Sequence, residues 1–260
     1  SGYGCSWAIE FAESMGKAII GEDPLNHERL WQKIYVPKFI GRRGTSCKTV
    51  SAIDIALWDI KAKVAGMPLY RLLGGFRERI PCYVAGGYYA ENKGITQLQK
   101  EMEEYVSWGI RAVKMKVGAL SLKEDARRVQ AVRQVLGDDV KLLLDANCAY
   151  RFFEAIEFSR MVEEYRPYWL EEPVDADDYD GYRKVAAKSN IPIAAGENEV
   201  TRFGFRDLIN TQAVSILNPD AASLGGVTEF MKIAGYADAN GLVMSPHGQQ
   251  QLHVHLDCAA

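Results

Sequence analysis

Leu142-Leu143-Leu144-Asp145-Ala146-Asn147 is a short apolar run that stops abruptly at a carboxylate and an amide. The form recurs downstream as Trp169-Leu170-Glu171-Glu172-Pro173 and as Ala194-Ala195-Gly196-Glu197. Upstream, an apolar run leads into Lys114-Met115-Lys116; further on come Leu217-Asn218-Pro219-Asp220 and Ser245-Pro246-His247-Gly248. A brief apolar run bounded by turn residues reads as a buried strand. An ionisable residue at the end of nearly every such run asks for a common cause.

Working outward, strands are expected over residues 80–85, 112–117, 140–145, 168–171, 191–195, 213–217 and 241–245. Charged amphipathic helices separate them, as over 122–136 and 152–165. Strand starts roughly 22 to 30 residues apart are what repeated βα units give, around a parallel sheet covered on both faces. An open doubly wound sheet satisfies the same alternation. The strand ends decide between the two: a (β/α) barrel gathers them on one face, whereas an open sheet spreads them along an edge. The expected fold is therefore α/β, a TIM-type barrel over residues 80–260.

Residues 1–79 have another character. Asp23-Pro24 starts a helix, and Val50, Ile53, Ala56, Leu57, Ile60 and Val64 recur at helical spacing before Gly66 and Pro68 end the run. A mainly helical first domain is expected there.

Asp145, Glu171 and Glu197 are spaced 26 residues apart, one βα unit each. Three carboxylates with no Cys or His among them make a hard oxygen site suited to one Mg²⁺, with positions left for water and a substrate carboxylate. Without a cation their like charges repel. Any one of them alone reads equally as a helix cap. Glu172 alternates to the other side and reads as structural, an ion-pair partner. Lys114 and Lys116, two apart on a strand, share a face. Crowding beside each other and a divalent cation is expected to depress an ammonium pKa, as a lysine base requires. Asp220 and His247 form the last pair, the carboxylate orienting the imidazole for proton transfer. His27, His253 and His255 read as surface or packing residues.

Together these residues resemble the enolase superfamily, and within it the mandelate racemase subgroup. Ser51-Ala52-Ile53-Asp54-Ile55-Ala56-Leu57-Trp58-Asp59, followed by Gly66-Met67-Pro68-Leu69, is similar to the helical part of that family's α+β capping domain. The Lys-x-Lys pattern matches Lys114 and Lys116, with Lys116 in the position of the base; the metal triad matches Asp145, Glu171 and Glu197; the Asp–His dyad matches Asp220 and His247. The branches that place a catalytic lysine after the sixth strand are disfavoured by Asn218-Pro219-Asp220. The resemblance also implies a (β/α)7β barrel, an eighth strand and a substrate-covering lid. Neither of the last two is found here, so the sequence is expected to be a segment of a longer protein. Related enzymes assemble as dimers or octamers, and a homo-oligomer is expected.

The implied reaction is Mg²⁺-dependent removal of the proton beside a substrate carboxylate, through an enediolate. Dehydration of a sugar acid to a 2-keto-3-deoxy acid, a hydro-lyase step in carbohydrate acid catabolism, is favoured over racemisation or epimerisation of a 2-hydroxy acid. A non-catalytic metal-binding scaffold is the alternative of another class; retention of both Lys116 and His247 counts against it. Tyr88, Tyr89, Asn147 and Arg202 are candidates to contact a polyhydroxylated substrate. Arg202, with Arg206, reads equally as a helix-start pair held by acidic neighbours.

Composition narrows the partners. Lys and Arg together number 31 against 34 Asp and Glu, a formal charge of −3 with no dense basic block. That excludes the basic face of a nucleic-acid binder. No apolar run approaches the roughly 18 residues that span a bilayer. Cys5, Cys47, Cys82, Cys148 and Cys258 are far apart without CxxC spacing, as expected of reduced thiols in a cytoplasmic protein. Ser1-Gly2-Tyr3-Gly4-Cys5 does not read as a signal peptide. Gly225-Gly226 lacks the Lys-Ser/Thr of a phosphate loop and reads as a turn into a helix.

Overall fold

The computed structural model describes residues 6–260; the reading of Ser1-Gly2-Tyr3-Gly4-Cys5 lies outside them. Seven parallel strands follow one another in the sheet in chain order. They are β1 (Val84–Gly86), β2 (Ala112–Lys116), β3 (Lys141–Asp145), β4 (Trp169–Glu171), β5 (Ile193–Ala195), β6 (Ile216–Leu217) and β7 (Val243–Met244). Each coincides with an expected strand, and a helix stands between each pair, the α/β order of a TIM-type barrel. The first strand begins at Val84 rather than Ile80, because Pro81 offers no backbone N–H to a ladder.

The helix expected from Asp23-Pro24 begins only at His27, whereas two other helix ends fall where their sequences place them. Ser121 caps Leu122–Leu136 by accepting from the Glu124 N–H, and Glu124 reaches back in a capping box. Gly66 closes Thr45–Ala65 in the left-handed conformation at φ 64°, where a side chain would be strained. The helix expected over 152–165 is α-helical over Phe152–Val162 and tightens to a 3₁₀ turn over Glu163–Tyr165.

Two compact units are distinguished by their internal contacts. One comprises residues 81–195 and 208–216. Its sheet packs Leu143, Trp169, Ala194 and Ile216 into one buried cluster. The register aligns Lys116 with Asp145, Asp145 with Glu171, and Leu143 with Trp169. Since strand side chains alternate, Lys114, Lys116, Leu143, Asp145, Trp169 and Glu171 share one face.

The other unit comprises residues up to 80 together with 196–207 and 217–260. Trp31, Ile34, Val50 and Met15 form its buried cluster. The helix Gly226–Ala239 is stitched to Thr45–Ala65 by polar groups removed from solvent. Asp54 accepts from the Thr228 backbone N–H (2.9 Å) and hydroxyl (2.6 Å), Trp58 Nε1 donates to the same hydroxyl, and Ser51 accepts from the Gly225 N–H. Gly226 is obligatory here: at φ 86° a Cβ would lie 2.3 Å from Asp54 Oδ2. The glycine pair is thus the turn expected of it. Among the described residues no helix is long and apolar enough to cross a membrane, and Cys47, Cys82, Cys148 and Cys258 are free thiols.

Candidate active site

In the first unit, β2, β3 and β4 present their ends side by side. Lys114 Nζ lies 2.7 and 2.9 Å from the two Glu171 carboxylate oxygens and 3.2 Å from Asp145 Oδ2. Lys116 Nζ donates to Asp145 Oδ2 at 2.6 Å and to Asn147 Oδ1 at 2.5 Å. Asp145 and Glu171 are wholly buried and Lys114 nearly so. Trp169 Nε1 donates to Glu171 Oε2, and the Asn147 backbone N–H to Asp145 Oδ1. Desolvation opposes the Asp145 charge, but Lys114 and Lys116 outweigh it and hold the carboxyl below its ordinary pKa.

Burial works against the Lys114 ammonium, yet Glu171 and Asp145 outweigh burial and raise its pKa. The neighbour that dominates is the carboxylate, not the other lysine. Lys116, a fifth exposed, stands over the Tyr88 ring at 5.8 Å.

Tyr89 is directed elsewhere. Its hydroxyl donates to Asp125 Oδ1 at 2.6 Å, and the Arg128 guanidinium stacks on its ring at 3.9 Å. Arg128 also donates to the Lys116 carbonyl (2.9 Å) and the Gly87 carbonyl (2.7 Å), tying the ends of β1 and β2 together. Asp125 and Arg128 escape a sequence reading because they look like ordinary first-turn charges on an amphipathic helix. Glu172, read as structural, is buried with φ 40° and accepts from the Cys148 thiol at 3.4 Å; burial and Glu172 push that thiol up to about 12, so it is no nucleophile.

In the second unit, His247 lies between two carboxylates. Its Nδ1 is 3.3 Å from Asp220 Oδ2 and its Nε2 is 3.4 Å from Glu197 Oε2. Asp220 is fixed in turn, its Oδ1 accepting from the Ala222 N–H at 2.8 Å. Asn218 Nδ2 donates to the Ser245 carbonyl, holding the ends of β6 and β7 in register. Arg202 is paired with buried Glu229 through both its guanidinium and its backbone N–H, and Arg206 with Asp207. Of the two readings of this pair, the contacts favour the helix-start arrangement.

Asp145 and Glu171 both reach a single buried cation, the Lys114 ammonium. Two carboxylates converging on one positive charge, all oxygen and no sulfur, fit a hard divalent ion. Among the described residues no group of three His, Cys, Asp or Glu side chains is already arranged as a metal set. The lysines now hold the carboxylate oxygens that an ion would use.

Two family models match. Residues 2–74 match the mandelate racemase / muconate lactonizing enzyme N-terminal domain, and residues 97–260 match the enolase C-terminal domain-like family. The chain belongs to the mandelate racemase subgroup of the enolase superfamily. It is 38% identical to an arabinonate dehydratase of Saccharolobus solfataricus over 94% of this chain and 66% of that protein, a little under two thirds of the relative's length. Among solved structures of the superfamily, a racemase from Streptomyces coelicolor A3(2) with bound magnesium superposes with a TM-score of 0.94 at 33% identity, covering 99% of this chain and 72% of that one. An L-talarate dehydratase from Polaromonas sp. JS666, complexed with Mg and L-glucarate, gives 0.89 at 39% identity over 96% and 70%.

Proposed function

We propose that the protein of which this chain is part dehydrates a sugar acid to a 2-keto-3-deoxy acid with Mg²⁺. The observation that carries this reading is the grip of Lys116 between Asp145 and Asn147, at the end of a strand followed in the sheet by two that end in the buried carboxylates Asp145 and Glu171. The superfamily relatives named above as dehydratases support the reaction class, and the magnesium and L-glucarate of the Polaromonas structure support the cofactor and substrate class.

Asp145, Glu171 and Glu197 are the proposed ligands of one Mg²⁺ ion. When bound, Mg²⁺ supplies positive charge against the negative charge that develops on the substrate carboxylate as the α-proton leaves. Every proton is handled by this chain's own groups. Lys116, as a neutral amine, takes the α-proton. Asp220 orients the imidazole so that protonated His247 gives its proton to the departing β-hydroxyl, which leaves as water with the carbon–oxygen bonding pair. The resulting enol tautomerises to the 2-keto-3-deoxy acid. For the opposite configuration at the α-carbon, His247 is the base. Lys114 neutralises the buried carboxylates and holds them in place. Asn147 and Tyr88 remain candidate substrate contacts beside Lys116. Arg202 and Tyr89, each already engaged, shape the loops instead.

The second reading, racemisation or epimerisation, draws support from the magnesium-bound Streptomyces coelicolor racemase. One experiment separates them: the full-length protein with Mg²⁺ is screened against mono- and di-acid sugars for 2-keto-acid formation. A keto-acid product lost in Lys116→Ala or His247→Asn supports dehydration. Configurational inversion without keto acid supports the second reading, and neither product sinks both.

A further inference from the structure

His253 lies within the helix Gln250–Asp257 and is 4% exposed, a position that reads from the sequence as packing. Its two ring nitrogens meet partners of opposite kind. The Ala221 backbone N–H donates to Nε2 at 3.0 Å, with Asp220 Oδ1 beyond hydrogen-bond reach at 3.9 Å, while Nδ1 faces the Gly248 carbonyl oxygen. A backbone N–H can only donate and a carbonyl can only accept. The neutral ring protonated at Nδ1 is therefore the one form that satisfies both. Burial pushes its pKa below the ordinary value, in the same direction, and Phe230 stacks on the ring at 5.8 Å and 24°.

What the ring joins gives it meaning. Ala221 directly follows Asp220, and Gly248 directly follows His247. Gly248 and Gln249 are both left-handed, at φ 62° and 43°, and a glutamine holds that conformation only where its surroundings impose it. The accepting carbonyl of Gly248 lies inside that turn. The loop after β6 and the loop after β7 are thus linked through one buried imidazole, in addition to the His247 N–H bond to the Pro219 carbonyl at 3.1 Å.

We propose that His253 is a positioning residue for the Asp220–His247 pair, bridging the Ala221 N–H and the Gly248 carbonyl so that the imidazole and its orienting carboxylate keep their separation. It touches no substrate. The inference rests on the proposed role of His247 in proton transfer, and its test is built to fail separately from that role.

The first arm needs no substrate. Ring ¹⁵N shifts of the full-length wild-type protein are recorded through the neutral pH range, with His253→Gln providing the assignment. The expected result is a ring locked as the Nδ1–H tautomer; a ring that titrates freely, or carries its proton on Nε2, overturns the proposal. The second arm compares His253→Phe, which keeps the stack and loses both bonds, with His253→Gln, whose amide can both accept and donate. The Phe variant is expected to lose about 10- to 100-fold in kcat with KM little changed, as for other residues that orient a reacting group, and the Gln variant to recover most of it. Equal activity in Phe and wild type, or equal loss in both variants, overturns the proposal. If the wild type turns over no sugar acid, the proposed function fails, and the His247 ring shifts of the Phe variant decide this inference: altered shifts support it and unaltered shifts overturn it. If the Phe variant does not fold, the wild-type spectrum and the Gln variant carry the decision.

Discussion

Lys114 reaches across β3 to hold both oxygens of Glu171, at 2.7 and 2.9 Å, with both side chains withdrawn from water. A buried pair adds little net stability when intact, but removing one partner strands the other in a low-dielectric interior, at a cost of about 3–5 kcal/mol. Lys114→Met should therefore destabilise the full-length protein by that order, more in EDTA than in excess Mg²⁺, because a metal ion would restore the missing positive charge. Thermal unfolding with and without the metal checks this. Equal stability of variant and wild type in EDTA would contradict it.

Arg202 offers a contrast between binding and scaffolding. Its partner Glu229 is fully buried, so Arg202→Ala leaves a carboxylate with less compensation. Stability is expected to fall by about 1–3 kcal/mol while KM for the substrate stays within about twofold. A large rise in KM with unchanged unfolding would return Arg202 to the substrate.

Arg128 is expected to act through the strand ends. Arg128→Lys keeps a positive charge near Asp125 but loses the fork that reaches the Gly87 and Lys116 carbonyls together. The expected outcome is a fall in kcat of about 10- to 100-fold with a smaller change in KM. Steady-state kinetics with the substrate found by screening measures it, and an unchanged kcat would show that the strand ends hold without this tie.

Much of this architecture was legible because burial on both faces of a parallel sheet demands continuous apolar runs. Leu142-Leu143-Leu144 can hardly be anything else, and the ionisable residue ending each run marks the face where charge is tolerated. The helix Leu122–Leu136 was likewise bounded by its own capping residues, Ser121 and Glu124. What escaped depends on contacts between residues distant in sequence. Asp125 is a plain first-turn acid until the fold brings Tyr89 and Gly118 to it. That two carboxylates close on the Lys114 ammonium also escapes a sequence reading, because spacing alone does not reveal which charge stands nearest. His253 looks like packing until Ala221 and Gly248 appear at its two nitrogens.

Asp54 makes stability depend on pH. Burial pushes its carboxyl up to about 7, against the hydrogen bonds from Thr228 that favour the charged form. A folded pKa above the unfolded value gives a contribution fully present below the ordinary carboxylate range and lost as pH rises through about 7. Stability should accordingly decline from about pH 4 to about pH 7 and level off above that, with a slope from this group of at most about 1.4 kcal/mol per pH unit. Asp257, raised by burial to about 7, adds the same sign. Urea unfolding across that range should show a shallower decline in Asp54→Asn; an identical slope would rule out Asp54 as its source.

The proposed reaction begins with removal of a proton from the carbon beside a carboxylate. The most direct measurement is ¹H NMR of sugar acids incubated in D₂O with the full-length, Mg²⁺-loaded protein, following loss of the α-proton signal. Loss of that signal is expected for at least one acid, abolished when Lys116→Ala and His247→Asn are combined. An α-proton that survives on every acid, or an exchange rate unchanged in the double variant, would contradict it.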